Sequence, residues 1–261
     1  MKKIVSALAL LGMVGAPGVV MAEETSPHTL TANVTLSSDY VFRGISQTGG
    51  DPAIQGGFDY SHASGIYVGT WASNVGWIED YQGYDSGNME IDLYGGYRGS
   101  AGDFTYDVGV IGYFYPGDRA GAVTGDTTEL YIGGGWKWLS AKYSYSLSNE
   151  TFGFANSDGS DYLEINASYP VGESGLTLGA HWGTFSFDNN DAQDYDDYSV
   201  SATYDLGKLG GLSKGMTVGL KYTDTNADKA VWTDNAGDTT TLGDGEYLGD
   251  DTFVFWVSKA F

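Results

Sequence analysis

The chain has no cysteine among its 261 residues. That excludes a disulfide framework, a thiolate metal site and a cysteine nucleophile. It suits a protein that crosses an oxidising periplasm and needs no cross-link there. Basic residues are also few: 12 Lys and Arg stand against 34 Asp and Glu, for a net charge of −22. This balance excludes nucleic acid as a partner, because neutralising phosphates takes Lys and Arg. Beyond residue 22 no run of about 18 apolar residues exists, so no transmembrane helix is expected there. Helical periodicity is almost absent from the same stretch. Histidine is limited to His28, His62 and His181.

The N-terminus reads as a processing segment. Lys2 and Lys3 precede an apolar stretch from Ile4 to Val20, and Val20-Met21-Ala22 is a small-residue cleavage site. Residues 1–22 are therefore expected to be a cleaved signal peptide, leaving one domain over 23–261. Aromatic residues make up 15% of the chain, and its 20 Tyr suit a membrane–water boundary, where the ring sits in lipid and the hydroxyl stays wet. Long alternating runs and this aromatic content argue against a disordered acidic chain.

Alternation gives twelve strands, at 29–44, 52–62, 65–75, 88–98, 103–115, 126–137, 139–148, 161–169, 175–186, 197–205, 216–224 and 252–261. In the first, Leu30, Ala32, Val34 and Leu36 oppose Thr31, Asn33, Thr35 and Ser37. In the seventh, Leu139, Ala141, Tyr143 and Tyr145 oppose Ser140, Lys142, Ser144 and Ser146. The third is the least clear, with no polar face. The final strand carries Phe253, Phe255, Val257 and Phe261 on one face and resembles the closing strand of an outer-membrane barrel. Connections alternate between longer acidic ones and short ones, which is the arrangement of external loops and periplasmic turns. Backbone groups in lipid must all be paired, so a chain without spanning helices crosses only as a closed barrel. A soluble β-sandwich would also alternate, but would not be expected to repeat this loop asymmetry. The expected fold is all-β: a transmembrane antiparallel β-barrel of twelve strands in the bacterial outer membrane.

Three segments carry a family resemblance. Ser38-Asp39-Tyr40-Val41-Phe42-Arg43-Gly44-Ile45-Ser46-Gln47, Pro52-Ala53-Ile54-Gln55-Gly56-Gly57 and Tyr67-Val68-Gly69-Thr70-Trp71-Ala72-Ser73-Asn74-Val75 are similar to the TorF family of proteobacterial porins. The resemblance implies an outer-membrane barrel with a pore. It brings no substrate and no binding residues.

The inward face holds the candidate pore-lining residues. They are the acids Asp39, Asp59, Glu90, Asp92, Asp107, Glu129 and Glu164, the bases Arg43, Lys142 and Lys221, and His181, with Arg98 at the periplasmic end. Acids outnumber bases, so a lumen of this composition favours cations. Asp39 and Arg43 lie four residues apart on one strand face, where their neighbours across strands could pair with them. About eight strands leave room only for side chains and about sixteen leave a wide channel. Twelve lies between, so an open narrow pore and a plugged barrel both fit.

The external loops are dense in acid, with Asp188, Asp191, Asp194, Asp196 and Asp197 in one and Asp224, Asp228, Asp234, Asp238, Asp244, Glu246, Asp250 and Asp251 in another. Such oxygens can hold divalent cations or bridge to anionic lipid headgroups. A specific calcium loop is not spelled out: Asp224-Thr225-Asn226-Ala227-Asp228 begins like one, but Lys229 stands at the usual Gly position and Asn235 at the usual Glu. His62-Ala63-Ser64 has a spacing seen in outer-membrane phospholipases, but it falls on a short periplasmic turn and no nucleophile, base and orienting group assemble around it. Gly133-Gly134-Gly135 precedes no helix and is no phosphate loop. Trp136, Trp138 and Trp256 are expected as girdle or packing residues, in an interface belt rather than a sugar-stacking path. The sequence thus points to a non-enzymatic, cofactor-free porin for passive diffusion of small polar solutes or ions, weakly cation-preferring, as a monomer or homo-oligomer. The competing class is a non-conducting structural or interaction barrel whose acidic loops bind cations.

Overall fold

A computed structural model describes residues 26–119, 123–233 and 245–261. The expected signal peptide and Asn235 lie outside them. Twelve long antiparallel strands close into one barrel. They are β1 His28–Ser37, β2 Ala53–His62, β3 Ile66–Asn74, β4 Met89–Ala101, β5 Phe104–Phe114, β6 Thr127–Trp136, β7 Leu139–Ser146, β8 Asp161–Pro170, β9 Leu176–Ser186, β10 Tyr195–Asp205, β11 Met216–Thr225 and β12 Thr252–Ala260. Each pairs with the next, and β12 returns to β1 with Val34 opposite Lys259 and Leu36 opposite Val257. Closure leaves no barrel edge, which satisfies the rule that lipid imposes on backbone groups.

All twelve expected strands are present, eleven of them to within three residues at each end. The first is the exception. It was expected to run to Gly44 but ends at Ser37, and the chain then turns into the barrel mouth. The alternation of Tyr40, Phe42 and Gly44 against Asp39, Val41 and Arg43 survives past the strand end because it belongs to a small hairpin, Val41–Phe42 paired with Ile45–Ser46.

Outward positions form an apolar band. Leu30, Ile54, Phe58, Val68, Leu93, Val110, Ile132, Ile165, Val200, Leu220 and Phe255 are all exposed on the barrel's outer wall. A patch of this extent is far beyond what a water-soluble monomer tolerates, and lipid is the solvent that covers it. At the short-turn end, Phe104 stacks on Trp136 and Trp138 meets Tyr169 edge-on, as girdle residues do. Trp256 departs from its expected place in that belt. It points inward and is buried, because it shares parity with Val254 and Ser258 rather than with Phe253 and Phe255.

The lumen is built from rings as well as charges. The third strand lacked a polar face in sequence because its inward residues are Tyr67, Gly69, Trp71 and Ser73. Large rings lie flat against the wall where the neighbouring strand offers glycine. A Cβ on Gly219 would come within 1.9 Å of Trp256 Cζ2, inside a strand whose neighbours keep the ring in place. Overpacking of this kind costs about 1–3 kcal/mol. Gly219→Ala is therefore expected to lower the urea midpoint of the refolded barrel, followed by tryptophan fluorescence. An unchanged midpoint would show that Trp256 moves freely into the lumen.

Candidate functional site

The segment between β1 and β2 folds inward rather than out. Ser38 begins the turn by exchanging hydrogen bonds with Phe255 on β12: its N–H donates to the Phe255 carbonyl at 2.9 Å, and its hydroxyl accepts the Phe255 N–H at 3.0 Å. Asp39 then collects the segment's own hydroxyls, accepting from Ser46 at 2.7 Å and Thr48 at 3.0 Å. At the hairpin tip Arg43 and Gly44 both have positive φ, 46° and 79°. That is the two-residue turn that matches strand twist. Gly44 is required there for a second reason. A Cβ would lie 2.5 Å from Asp197 Cβ, so the tip touches the barrel wall at β10.

Arg43 fixes this position. It donates from Nη1 and Nη2 to the two oxygens of Glu129 on β6, both at 2.7 Å. The guanidinium also lies 4.2 Å from the Tyr162 ring centre and 4.8 Å from those of Phe42 and Phe185. A planar cation with five donors suits this combination of carboxylate fork and ring faces. Burial opposes charge on Arg43, but Glu129 beside it more than compensates and holds the guanidinium pKa above its ordinary range.

A second acid site lies beside the first. Glu90 on β4 accepts hydrogen bonds from Tyr40 of the inward segment and from Tyr115 after β5, both at 2.8 Å. Burial first, and then the charge on Glu90, push both phenols well above their ordinary pKa, so they remain donors. Asp92 follows on the same face. It is 0% exposed, and neither carboxylate oxygen has a hydrogen-bond partner.

Further round the wall a ladder runs across four strands. Lys142 on β7 pairs with Glu164 directly opposite on β8 at 2.7 Å. Asn166 donates to Glu164 at 2.8 Å, and His181 on β9 lies 2.7 Å from the Asn166 oxygen and 2.9 Å from Asp197 on β10. Tyr162 closes the ladder by donating to Asp197 at 2.8 Å. Nearer the periplasmic end, Tyr94 donates to Asp59 and Tyr67 to Asp107, each at 2.7 Å, and Tyr67 also bonds Tyr131. Arg98 sits over the Tyr67 ring at 4.8 Å.

Burial divides the lumen in two. At the level of the inward hairpin, Glu90, Asp92, Glu129, Tyr162 and Asp197 are all 2% exposed or less. Solvent scarcely reaches any of these five side chains. Towards the short-turn end, Thr31, Asn33, Asp59, Ser140, Asn166 and Ser201 stay partly exposed, as does Lys221. The lumen side chains are thus buried in the long-loop half and reached by solvent in the other.

The family model for Gcw_chp, described as a bacterial protein of unknown function, matches residues 21–261. The chain belongs to the Gcw_chp family. No curated protein matches it in sequence. Among solved structures, a KdgM porin in complex with disordered oligogalacturonate is similar at TM-score 0.54 and 8% identity, over 89% of this chain and 99% of that one. Pseudomonas aeruginosa OprD is similar at TM-score 0.40 and 12% identity, over 92% of this chain and 67% of that one. Pseudomonas aeruginosa OccD3 (OpdP) is similar at TM-score 0.43 and 15% identity, over 92% and 66%. The KdgM likeness supports the fold, and the apolar outer band places this Gcw_chp barrel in the bacterial outer membrane.

Of the expected inward acids and bases of β2 to β11, Glu90, Asp92, Asp107, Glu129, Lys142 and Glu164 are buried, and Asp59, His181 and Lys221 are half-buried. Asp39 and Arg43 do not belong to a barrel strand, so neither has a strand neighbour of the kind expected. Asp39 ties the inward segment to itself, and Arg43 crosses to Glu129. Tyr40, Tyr115, Tyr162, Asn166 and Asp197 complete the site and were not among the expected lining. Asp197 had a readable signal, since it shares parity with Ser199 and Ser201 on β10. The tyrosines had none, because a phenol fits either face.

Phe42 of the hairpin packs with the buried Trp77, Phe152, Phe185, Tyr195 and Trp232 in an aromatic cluster around a small pocket. Among the described residues, no group of three or more acids and imidazoles is placed to hold a metal ion. His62 and Ser64 do meet, at 2.8 Å, on the exposed turn after β2.

Proposed function

We propose that this protein is a narrow outer-membrane channel for passive movement of small polar solutes and ions, with a weak preference for cations, controlled by the inward segment Ser38–Pro52. The observation that carries this reading is the latch itself. A polar, charge-lined lumen inside a closed barrel is entered by a hairpin that Arg43 pins to Glu129. A barrel built only as a scaffold has no need of a charged latch across its bore. The longest segment of TorF resemblance, Ser38 to Gln47, is the same hairpin, which supports placing the chain among porins of that kind. The acid excess along the lumen supports cation preference.

The test is single-channel recording of the refolded protein in a planar bilayer, with reversal potential under a potassium chloride gradient. Brief openings with cation preference are expected. Neutralising Glu90 and Asp92 together, as Glu90→Gln with Asp92→Asn, is expected to reduce that preference. Silence from a barrel with folded, heat-modifiable gel migration would favour the second reading, a non-conducting barrel whose acidic loops bind divalent cations or partners. The burial of the lumen side chains in the long-loop half is the observation on that side.

A further inference from the structure

The closed half of the lumen holds four wall carboxylates: Asp197, which Tyr162 and His181 hold, and Glu90, Asp92 and Glu129, to which the inward segment supplies one cation, Arg43. Glu129 takes that cation in a two-point fork, and Glu90 takes two phenol hydroxyls. Asp92 takes nothing: both of its oxygens are buried and unpartnered. The other lumen base in an ion pair, Lys142, is committed to Glu164. A buried carboxylate without donors costs several kcal/mol, and such a group in a native structure calls for an explanation.

We propose that Glu129, Asp92 and Glu90 form a recognition site for a guanidinium-bearing solute, and that Arg43 occupies part of it in the closed state as a tethered competitor. The surroundings of Arg43 show what the site accepts. They offer a carboxylate fork for two parallel N–H bonds, with the faces of Tyr162, Phe42 and Phe185 about the planar group. Asp92 adds acceptor capacity that Arg43 does not use. A solute guanidinium that displaces Arg43 pairs with Glu129, gives Asp92 donors and frees the hairpin at the same moment. Recognition and opening are then one exchange of cations. Uncharged solutes of the same shape have no such effect, because they do not replace the charge that Glu129 loses.

This rests on the channel reading but is tested apart from it. Binding of butylguanidine to the full-length folded barrel in detergent is measured by titration calorimetry, with butylurea as the planar uncharged counterpart. Arg43→Gln removes the competitor and is expected to bind butylguanidine about tenfold tighter than the native protein or better. Asp92→Asn in the Arg43→Gln background is expected to weaken binding about tenfold, the value of one charge-assisted hydrogen bond. The opposite signs separate both effects from misfolding, and unboiled gel migration checks each variant. Equal binding of butylurea, no binding by the folded Arg43→Gln barrel, or no effect of Asp92→Asn would each overturn the proposal. A conducting channel that ignores butylguanidine overturns this inference alone. Butylguanidine binding by a barrel that never conducts overturns the channel reading and leaves the site.

Discussion

Arg43→Ala is expected to turn a channel that is shut most of the time into one that is open most of the time. The closed state would lose both bonds from Arg43 to Glu129 and the guanidinium's contact with the Tyr162, Phe42 and Phe185 rings. It would also leave Glu129 buried with a single long hydrogen bond, from the Tyr113 hydroxyl at 3.4 Å. Breaking a buried ion pair from one side costs about 3–5 kcal/mol. Each 1.4 kcal/mol is a factor of about ten, so the ratio of open to closed rises by about a hundredfold or more. The open state, with the hairpin out of the bore, bears none of this cost. Open probability in single-channel records measures it directly. Arg43→Lys is expected to fall between, since an ammonium keeps the charge but not the fork. An unchanged open probability in Arg43→Ala would mean that another contact holds the hairpin or that the hairpin is not the gate.

The second large effect is on stability. Lys142→Met is expected to destabilise the barrel by about 3–5 kcal/mol, because Glu164 is left buried without its cation. The damage would spread along the ladder through Asn166 and His181 to Asp197, since each member orients the next. Urea titration of the protein folded in lipid vesicles reads the loss. The double variant Lys142→Met with Glu164→Leu is expected to recover much of it, because two apolar side chains facing each other leave no charge stranded. If the single variant matches the native protein, Glu164 is reached by water and the ladder is not a closed one. Open probability is expected to change less than in Arg43→Ala, since the latch meets the ladder at its far end, Tyr162 and Asp197, and not at the Lys142–Glu164 pair.

Much of the barrel is legible in the alternation of strands such as β1 and β7, where every second residue is polar. It is legible because lipid and lumen make opposite demands on neighbouring residues. Two things are not. The first is the inward hairpin, whose residues alternate as a strand does. Its tell is local: Arg43-Gly44 flanked by Phe42 and Ile45 is a turn between apolar neighbours, but Arg is an uncommon residue at positive φ. The second is pairing across the bore. Lys142 and Glu164 follow from register once strands are aligned, whereas Arg43 and Glu129 are 86 residues apart and meet only because a segment crosses the lumen. Tyrosine hides the rest. Tyr67, Tyr94 and Tyr131 look like outer-wall residues in composition, and only the glycines beneath them, such as Gly69 under Tyr94 and Gly109 under Tyr131, signal that their rings lie inside.

The anchoring of the hairpin also orders events during assembly. Its stem hydrogen-bonds to Phe255 on β12, its tip rests on β10, Ser46 N–H donates to the Leu248 carbonyl, and the Gln47 carbonyl accepts from Gly76. These partners span most of the chain, and the hairpin itself follows the first strand. Its full set of contacts therefore exists only once the twelfth strand has joined the first, and a chain that fails to join its two outermost strands loses the anchor of the hairpin's stem on Phe255.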